Sequence, residues 1–470
     1  MITCGSDQKM AEAMLSHAAL GDLPAVQAAA EVLGVDAQDE NGMTGTIIAA
    51  SFGHFDIVSW FVDSGADVNI LDACGDSAFH YAAYGGRVDI LSKLEPHTSA
   101  HVQNCLNNDG YAPIHTAVAH GELDAVRALF SSPHIDINAR TENGWTSIHI
   151  AAASGFTSLV EFLLTANGFD VMAVDAQGSN ALHVAAFAGQ LPVVIQLVES
   201  GQFDPNAKGE NKATAFAMAC AEGSLAVVIY LSRLTQPGLD ADGDTELHLA
   251  VKHLPVAQFL LDHMYDVCAI TNDGSTALHR AVGNGSLDVV AKLIEAKSPL
   301  DARDVIGCTP FYNACYFGDL PLVKLLLHGK SDARVFDLEG FSPLHAAAQS
   351  GNLRVVGYLV QRLGLAVDLP STRGFTPIMC AISLTRTSVV KWLVKRGADC
   401  KTAIEVAKRY ENSGEEARKL SEWLARPCGA QGCAQRGSKK CGGCLQIRYC
   451  GTACQRAHRE VHKHNCFLSL

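Results

Sequence analysis

Residues 272–294 read Asn-Asp-Gly-Ser-Thr-Ala-Leu-His-Arg-Ala-Val-Gly-Asn-Gly-Ser-Leu-Asp-Val-Val-Ala-Lys-Leu-Ile. A polar turn ends at Gly274, a short segment of small and apolar residues follows, and Gly285 separates it from a second apolar segment. Glycine adopts the backbone conformations that tight turns and helix ends require. The second segment repeats Val and Leu at helical spacing. The stretch therefore predicts a turn followed by two short helices.

The same pattern recurs along most of the chain. A glycine that ends a polar tetrad returns at intervals of 31 to 35 residues, with Lys212 in the corresponding place in one unit. The glycines are Gly42, Gly75, Gly110, Gly144, Gly178, Gly243, Gly274, Gly307, Gly340 and Gly374. Because one such unit cannot bury both of its faces alone, neighbouring units must stack. We expect about twelve helix-turn-helix units.

The segments that follow these glycines are closely similar, as in Gly110-Tyr-Ala-Pro-Ile-His-Thr-Ala and Gly340-Phe-Ser-Pro-Leu-His-Ala-Ala. They resemble the ankyrin repeat, whose signature is a period of about 33 residues with Thr-Pro-Leu-His-x-Ala. The resemblance covers about residues 10–425 and implies a mainly α fold, an ankyrin-repeat solenoid that binds other proteins. We expect an N-terminal cap or degenerate repeat at 1–41, the array at 42–400, and C-terminal capping helices at 401–426.

Seven histidines occupy the same place in their repeats. They are His80, His115, His149, His183, His248, His279 and His345. A metal or catalytic role is one interpretation, but a residue that returns once per repeat is expected to do one structural job per repeat. The ankyrin resemblance implies that the Thr and His of this motif form hydrogen bonds that tie adjacent turns.

Three units depart from the pattern. The Lys212 unit has Phe216-Ala217 in place of Leu-His, the Gly243 unit is two residues shorter, and the Gly374 unit has Ile378-Met379. The last two also lack the glycine in the middle of the unit. Two consecutive 31-residue spacings make residues 212–273 the place where we predict a bend or a weak interface. Sequence drift in a tolerant repeat is the favoured cause, and a function-related kink is the alternative.

Segment 427–470 holds seven of the sixteen cysteines, and together with His462 they form a series of eight Cys and His residues at short intervals. Thiolate and imidazole are preferred zinc ligands, and eight of them make two closed four-coordinate sites with no open position for water. The set is Cys428, Cys433, Cys441, Cys444, Cys450, Cys454, His462 and Cys466. We therefore predict two structural Zn²⁺ ions in a small C-terminal zinc-stabilised domain, with no catalytic metal.

The run from Tyr449 to Cys466 resembles the MYND-type zinc finger, which implies two interleaved sites. Cys428, Cys433, Cys450 and Cys454 would bind one zinc, and Cys441, Cys444, His462 and Cys466 the other. The first Cys pair has four intervening residues, where the family usually has two. Arg459 stands where many members carry a tryptophan that helps bind proline-containing peptides, and His458 is the alternative ligand to His462.

Charge is unevenly distributed along the chain. The net charge is -13, yet segment 427–470 carries seven Lys/Arg and one Asp/Glu. Seven thiolates and two zinc ions would lower this local excess to about +3. An acidic remainder repels phosphates, so nucleic acid is disfavoured as a partner. We find no secretory signal and no apolar run of the roughly 18 residues that span a bilayer, which predicts no membrane contact and a cytoplasmic or nuclear location.

Partner contacts are expected at the loops between repeats. Four aromatic residues follow the turn glycines and are the candidate partner-binding residues: Tyr111, Trp145, Phe341 and Phe375. A second set lies before the middle of the unit: Phe52, Tyr84, Phe187, Tyr316 and Phe317. The loop tips are acidic or polar, as in Asp39-Glu40-Asn41, so a basic segment of a partner suits them.

The sequence contains no phosphate-binding glycine loop and no nucleophile elbow, and the repeats and the finger account for nearly all residues. We therefore expect a non-enzymatic scaffold or adaptor for protein–protein interaction. The alternative is a nuclear transcriptional or chromatin-associated adaptor, whose finger recruits corepressors or touches nucleic acid. Sequence does not name the partner, because ankyrin arrays bind unrelated targets.

Overall fold

The computed structural model describes residues 5–209, 211–410, 414–425, 439–440 and 448–449. The chain divides into two compact units, Met1–Ala241 and Asp242–Leu470. Each unit is built mainly from consecutive pairs of short α-helices joined by turns.

The first unit contains fifteen helices within its described residues. These are α1 Gly5–Leu20, α2 Leu23–Leu33, α3 Gly45–Phe52, α4 Phe55–Asp63, α5 Ala78–Tyr84, α6 Val88–Leu94, α7 Ala100–Asn104, α8 Pro113–Ala119, α9 Leu123–Ser131, α10 Ser147–Ser154, α11 Thr157–Thr165, α12 Ala181–Phe187, α13 Leu191–Glu199, α14 Ala215–Glu222 and α15 Leu225–Leu231. A 3₁₀ turn, Glu95–His97, lies between α6 and α7.

The second unit contains twelve helices and two short strands within its described residues. These are α16 Glu246–Leu249, α17 Leu254–Asp262, α18 Ala277–Gly283, α19 Leu287–Glu295, α20 Pro310–Phe317, α21 Leu320–His328, α22 Pro343–Ser350, α23 Leu353–Leu363, α24 Pro377–Ser383, α25 Thr387–Lys395, α26 Cys400–Tyr410, α27 Glu415–Ala425, β1 Lys439–Lys440 and β2 Arg448–Tyr449. A 3₁₀ turn, Ala250–Lys252, follows α16, and β1 pairs antiparallel with β2.

The local sequence explains where these helices begin and end. The Thr44 hydroxyl accepts a hydrogen bond from the Ile47 amide at 3.2 Å, which caps α3. Such a cap satisfies one of the amides that has no partner inside the helix. Gly53 ends α3 with φ of +81°, a conformation that is costly for residues with a Cβ. The same cap-and-glycine arrangement brackets α14 and α20, and α10 and α22 also end at a left-handed glycine.

The core of each unit lies between the helices of successive pairs. The first helices pack against one another, as α10 does against α12, through fully buried alanines such as Ala151 and Ala185. The second helices contribute buried branched residues, for example Val160 and Leu163 on α11. Small residues let the first helices approach closely, and the larger ones fill the space behind them. Both features match the stacking predicted from the repeat.

The number of pairs is slightly higher than expected. Of the 27 α-helices in the described residues, α7 stands outside the pairing, so the others form thirteen pairs. Eleven pairs follow the turn positions from Gly42 to Gly374, and one more lies at each end. The final two are α26 and α27, which cover most of residues 401–426; the proposed domain limits at 1–41, 42–400, 401–426 and 427–470 stay predictions.

The three units that depart from the repeat pattern keep the helix-turn-helix fold through local changes of the backbone. Lys212 adopts φ of +57° in the place of the turn glycine, and Thr385 adopts φ of +54° where the Gly374 unit lacks its second glycine. In the Gly243 unit the first helix shortens to four residues and continues as the 3₁₀ turn. The division between the two units also falls within residues 212–273, where the sequence is irregular; the predicted bend or weak interface stays a prediction.

Candidate interaction surfaces and zinc module

The seven repeated histidines each join their own helix start to the next repeat. We call this arrangement the cap–histidine pair: the residue before the helix and the histidine three positions later. In the Gly144 repeat the Thr146 amide donates to His149 Nδ1 at 3.2 Å, and His149 Nε2 lies 3.1 Å from the Ser179 carbonyl oxygen. Because Nδ1 accepts a hydrogen bond from an amide and Nε2 faces a carbonyl oxygen, we assign the proton of the neutral ring to Nε2.

The equivalent bonds occur at the other six histidines. Their acceptors are the carbonyls of Cys105, Ala139, Ala207, Ser275, Cys308 and Phe375. The predicted structural role of these histidines is therefore confirmed. None of the seven belongs to a group of convergent metal-ligating side chains in the described part of the chain.

Burial lowers the pKa of six of these imidazoles, which favours their neutral form. Loss of solvent contact lowers the pKa of His115 to about 4, and the bond to Ala139 offsets this only in part. Burial likewise lowers the pKa of His80, His149 and His183 in the first unit. The same holds for His279 and His345 in the second unit. A histidine with this environment is a poor general base at neutral pH and a good structural donor.

Other residues fill the histidine position in the remaining repeats. Tyr312 occupies it in the Gly307 repeat, and its hydroxyl donates to Asp337 Oδ2 of the next repeat at 3.2 Å. Met379 occupies it in the Gly374 repeat, where its sulfur accepts from the Thr376 amide at 3.4 Å. Tyr312 was not singled out from the sequence, although its spacing from Gly307 places it at this position. The position therefore also accepts tyrosine and methionine, and the Lys212 repeat has Ala217 there.

The loops between repeats are joined to one another by backbone hydrogen bonds. The Asn108 amide donates to the Cys74 carbonyl at 2.8 Å, and the Ala176 amide donates to the Asn143 carbonyl at 3.1 Å. In the second unit the Val305 amide donates to the Asp273 carbonyl at 2.9 Å. These loops are thus held by their neighbours, which orders this edge of the repeats.

Many of the acidic loop residues are engaged in the turns themselves. Asp39 Oδ1 accepts from the amides of Asn41 and Met43, both at 2.9 Å. Asp337 Oδ1 accepts from the amides of Glu339 and Phe341 in the same way. These carboxylates organise the loop, so one oxygen of each already accepts two hydrogen bonds from its own turn. Glu40, Asp109 and Glu142 remain exposed at the tips.

The two aromatic sets differ in exposure. Among the candidate partner-binding residues, Phe375 is exposed, whereas Tyr111, Trp145 and Phe341 are half-buried. The rings of Trp145 and Phe341 lie beside the histidines of their own repeats. The second set is more exposed throughout: Phe52, Tyr84, Phe187, Tyr316 and Phe317 are all about half accessible to solvent or slightly more. The exposed fractions therefore favour this second set as partner contacts over the four candidate partner-binding residues.

The eight predicted zinc ligands lie outside the described residues, as do Arg459 and the rival ligand His458. Within segment 427–470 the structure describes β1 and β2 alone. In sequence, β1 is followed directly by Cys441 and β2 by Cys450. The pairing of metal ligands therefore stays a prediction.

The fold is a stack of helix pairs, and comparison with known families places it among protein-interaction modules. Ankyrin repeats match seven overlapping segments that run from residue 14 to residue 403. A MYND finger, a zinc-binding module, matches residues 428–466. The chain belongs to the ankyrin-repeat family and carries a C-terminal MYND finger, as the two resemblances predicted.

Similar proteins share only part of their length with this chain. It is 33% identical over 94 residues to Tyrosine-protein kinase Shark of Drosophila melanogaster, covering 20% of this chain and 10% of that protein. It is 34% identical over 88 residues to the Nuclear factor NF-kappa-B p105 subunit of Gallus gallus, covering 18% of this chain and 9% of that protein. It is 33% identical over 91 residues to Ankyrin repeat domain-containing protein 37 of Xenopus tropicalis, covering 19% of this chain and 55% of that protein.

The chain thus spans between 9% and 55% of the length of these relatives. The similarity to the kinase lies in the ankyrin region. Ankyrin and MYND domains are typically non-catalytic interaction domains, so what is shared with the kinase is a binding domain. No helix among the described residues is long and apolar enough to cross a membrane.

Proposed function

We propose that this protein is a non-enzymatic scaffold or adaptor. Its ankyrin repeats contact one protein, and its MYND finger contacts a second protein or another segment of the first. The observation that carries the proposal is the set of exposed aromatic side chains at the ends of the first helices. Aromatic residues supply much of the binding energy in protein interfaces, and each of these rings stands on a rigid helix.

The loop tips add charge to this surface. Glu40, Asp109 and Glu142 are exposed next to loops that their neighbours hold in place. Fixed carboxylates attract a basic segment of a partner and raise its association rate. The acidic repeats and the basic finger therefore favour partners, or partner segments, of opposite charge.

For the finger we propose two structural Zn²⁺ ions held by the eight Cys and His residues given above. A module of about forty residues is too small for a sufficient hydrophobic core. Zinc binding of about 10–16 kcal/mol per structural site would supply its folding energy. Elemental analysis of the purified chain should give two zinc ions per molecule, and Cys444→Ser should reduce that number; one ion per intact chain contradicts the two-site assignment.

Affinity purification with the intact chain tests whether the repeats and the finger each recruit partners of their own. The array variant is Phe52→Ser/Phe187→Ser, which removes two exposed rings without touching the core. The finger variant is Cys441→Ser/Cys444→Ser, and Val32→Ser, at an exposed apolar side chain of α2, is the control. Each variant should lose a set of partners that the control retains. If all of them recover the same partners at equal yield, neither surface recruits them.

A nuclear adaptor that touches nucleic acid is the second candidate, favoured by the seven Lys/Arg against one Asp/Glu in segment 427–470. One similar protein is a nuclear factor by its name. DNA binding by the intact chain, measured over a salt series, should then weaken in Lys439→Gln/Lys440→Gln. Absence of binding at low salt would count against this candidate.

A further inference from the structure

A cavity of about 380 Å³ opens on the first unit between two adjacent repeats. We call it the acidic–aromatic pocket. The residues that matter for the argument are Asp76, Tyr81, Tyr84, Asp109, Tyr111 and His120. Tyr81 and Tyr84 lie on α5, and His120 directly follows α8. The others belong to the loops that precede these helices. The volume lies in the usual range for a ligand site.

The charge of this pocket has one sign. Asp76 and Asp109 contribute carboxylates, and no lysine or arginine lines the cavity. Neither carboxylate takes part in an ion pair within the described residues. Asp76 is half-buried, and its partner is the Asn107 side-chain amide, which donates to Oδ1 at 2.8 Å. Burial raises the pKa of Asp76, as expected for a carboxylate whose charge is not fully compensated.

Aromatic rings form the rest of the wall. Tyr84 is half exposed, and its ring centroid lies 4.0 Å from that of His120. Tyr81 is fixed because its hydroxyl donates to Asp72 Oδ2 at 2.9 Å. Tyr111 packs edge-on against His115, at 6.2 Å between centroids. Three tyrosines around two carboxylates combine the two features that attract an organic cation, a negative charge and π faces.

We propose that this pocket binds the cationic head of a lysine or arginine side chain from an extended segment of a protein partner. The occupant follows from charge complementarity, since a cationic head would offset part of the negative charge of Asp76 and Asp109 while its methylene stem covers Tyr84. A bare metal ion fits less well, because the pocket residues are absent from the convergent metal-ligating groups found in the described residues. The inference rests on the proposed protein-binding function and adds the chemistry of one contact.

Three small probes test the proposal on the intact chain by ligand-observed saturation-transfer NMR. They are the N-acetyl methylamides of lysine, arginine and norleucine; norleucine reproduces most of the lysine stem without the ammonium group. We expect both cationic probes to bind at least about tenfold more tightly than the norleucine probe. Added salt should weaken their binding. Equal binding of norleucine would overturn the proposal, as would no binding of the cationic probes.

Matched variants locate the site. Tyr84→Ala and Asp76→Asn should each weaken the lysine probe by about tenfold. Phe187→Ala, an exposed ring outside the pocket, and Glu161→Gln, an exposed carboxylate on α11, should leave it unchanged. Circular dichroism melts establish that every variant is folded. Retained binding in both pocket variants means that the cation binds elsewhere, and the proposal fails.

The outcome is independent of the partner purification described above. That experiment alters Phe52 and Phe187, which lie outside the pocket residues. If the probes fail while Phe52→Ser/Phe187→Ser loses partners, the scaffold function stands and the pocket assignment falls. If the probes bind while no variant loses partners, the pocket is a cation site and the scaffold function falls.

Discussion

The Gly144 repeat and the Gly243 repeat fold around the same buried anchors although they differ in length. In the Gly144 repeat, α10 has eight residues and ends at Gly155, whose φ is +80°. In the Gly243 repeat, α16 has four residues, and a 3₁₀ turn leads directly into α17. Yet Leu163 and Leu260, at equivalent places on the second helices, are both fully buried.

The cap–histidine pair is also the same in both repeats. His248 Nδ1 accepts from the Thr245 amide at 3.2 Å, and Nε2 lies 3.2 Å from the Ser275 carbonyl oxygen. The corresponding distances at His149 are 3.2 and 3.1 Å. What differs is the far end of the first helix, where exposed residues stand. These two repeats therefore share their core position and their histidine and differ at the end of the first helix.

Truncating the shared core position should give the largest effect. Leu163→Ala and Leu260→Ala each remove a fully buried side chain, and we expect both to lower the free energy of unfolding by about 2–5 kcal/mol. Urea unfolding of the intact chain, followed by circular dichroism, measures the losses. A much smaller loss for Leu260→Ala would show that the shorter repeat is loosely packed and would break the equivalence.

Removing the histidine should cost about 2 kcal/mol in either repeat. His149→Leu and His248→Leu keep an apolar side chain of comparable size but leave a buried amide and a buried carbonyl without their partners. The losses should agree within about 1 kcal/mol if the pair does the same work in both repeats. A negligible loss at one of the two sites would show that its hydrogen bonds are replaceable there, for example by water.

Acid should weaken the contribution of His149. Its pKa is lowered in the folded state by burial, so the unfolded chain binds more protons below the unfolded pKa of about 6.5. The stability is therefore present above that pH and is lost as the pH falls toward the folded pKa. Between pH 7.5 and 5.5 the difference between wild type and His149→Leu should narrow by up to about 1.4 kcal/mol. The check is urea unfolding at both pH values; a constant difference contradicts the prediction.

The smallest effect is expected at Ser147, next to the cap of α10. Its buried hydroxyl has no hydrogen-bond partner among the described residues, whereas that of Thr146 lies 3.0 Å from His149 Nδ1. Ser147→Ala removes a buried hydroxyl that makes no hydrogen bond, so the free energy of unfolding should rise by a few tenths of a kcal/mol. Thr146→Ala is the control, and it should be destabilised by about 1 kcal/mol. Destabilisation of Ser147→Ala by as much would reveal a partner for its hydroxyl.

Much of the fold was predictable because its information is local and repeated. The turn glycines, the alanines of the first helices and the Val/Leu positions of the second lie within each stretch of about 33 residues. The structural role of the seven histidines also followed from their period. Tyr312 was missed, because a search for histidine does not find a tyrosine that reaches the next loop through its hydroxyl.

The candidate site was less predictable than the fold. Trp145 and Phe341 are half-buried beside their own histidines, and Phe187, ranked lower, is about half exposed. The acidic loop tips were also hard to assess from the sequence, since Asp39 Oδ1 accepts hydrogen bonds from amides of its own loop. Exposure depends on side chains that neighbouring helices and loops bring near, and a motif written along one repeat does not contain them.

The sequence by itself determined the ankyrin-repeat family, the order of repeats and finger, and the eight residues expected to hold zinc, because spacing encodes each of these. Only the tertiary structure decided which aromatic rings are exposed and which carboxylates are used by the turns. It also decided that Tyr84 and His120, 36 positions apart in the sequence, lie within 4.0 Å of each other. Stacking one repeat on the next creates that pocket, so no single repeat could have indicated it.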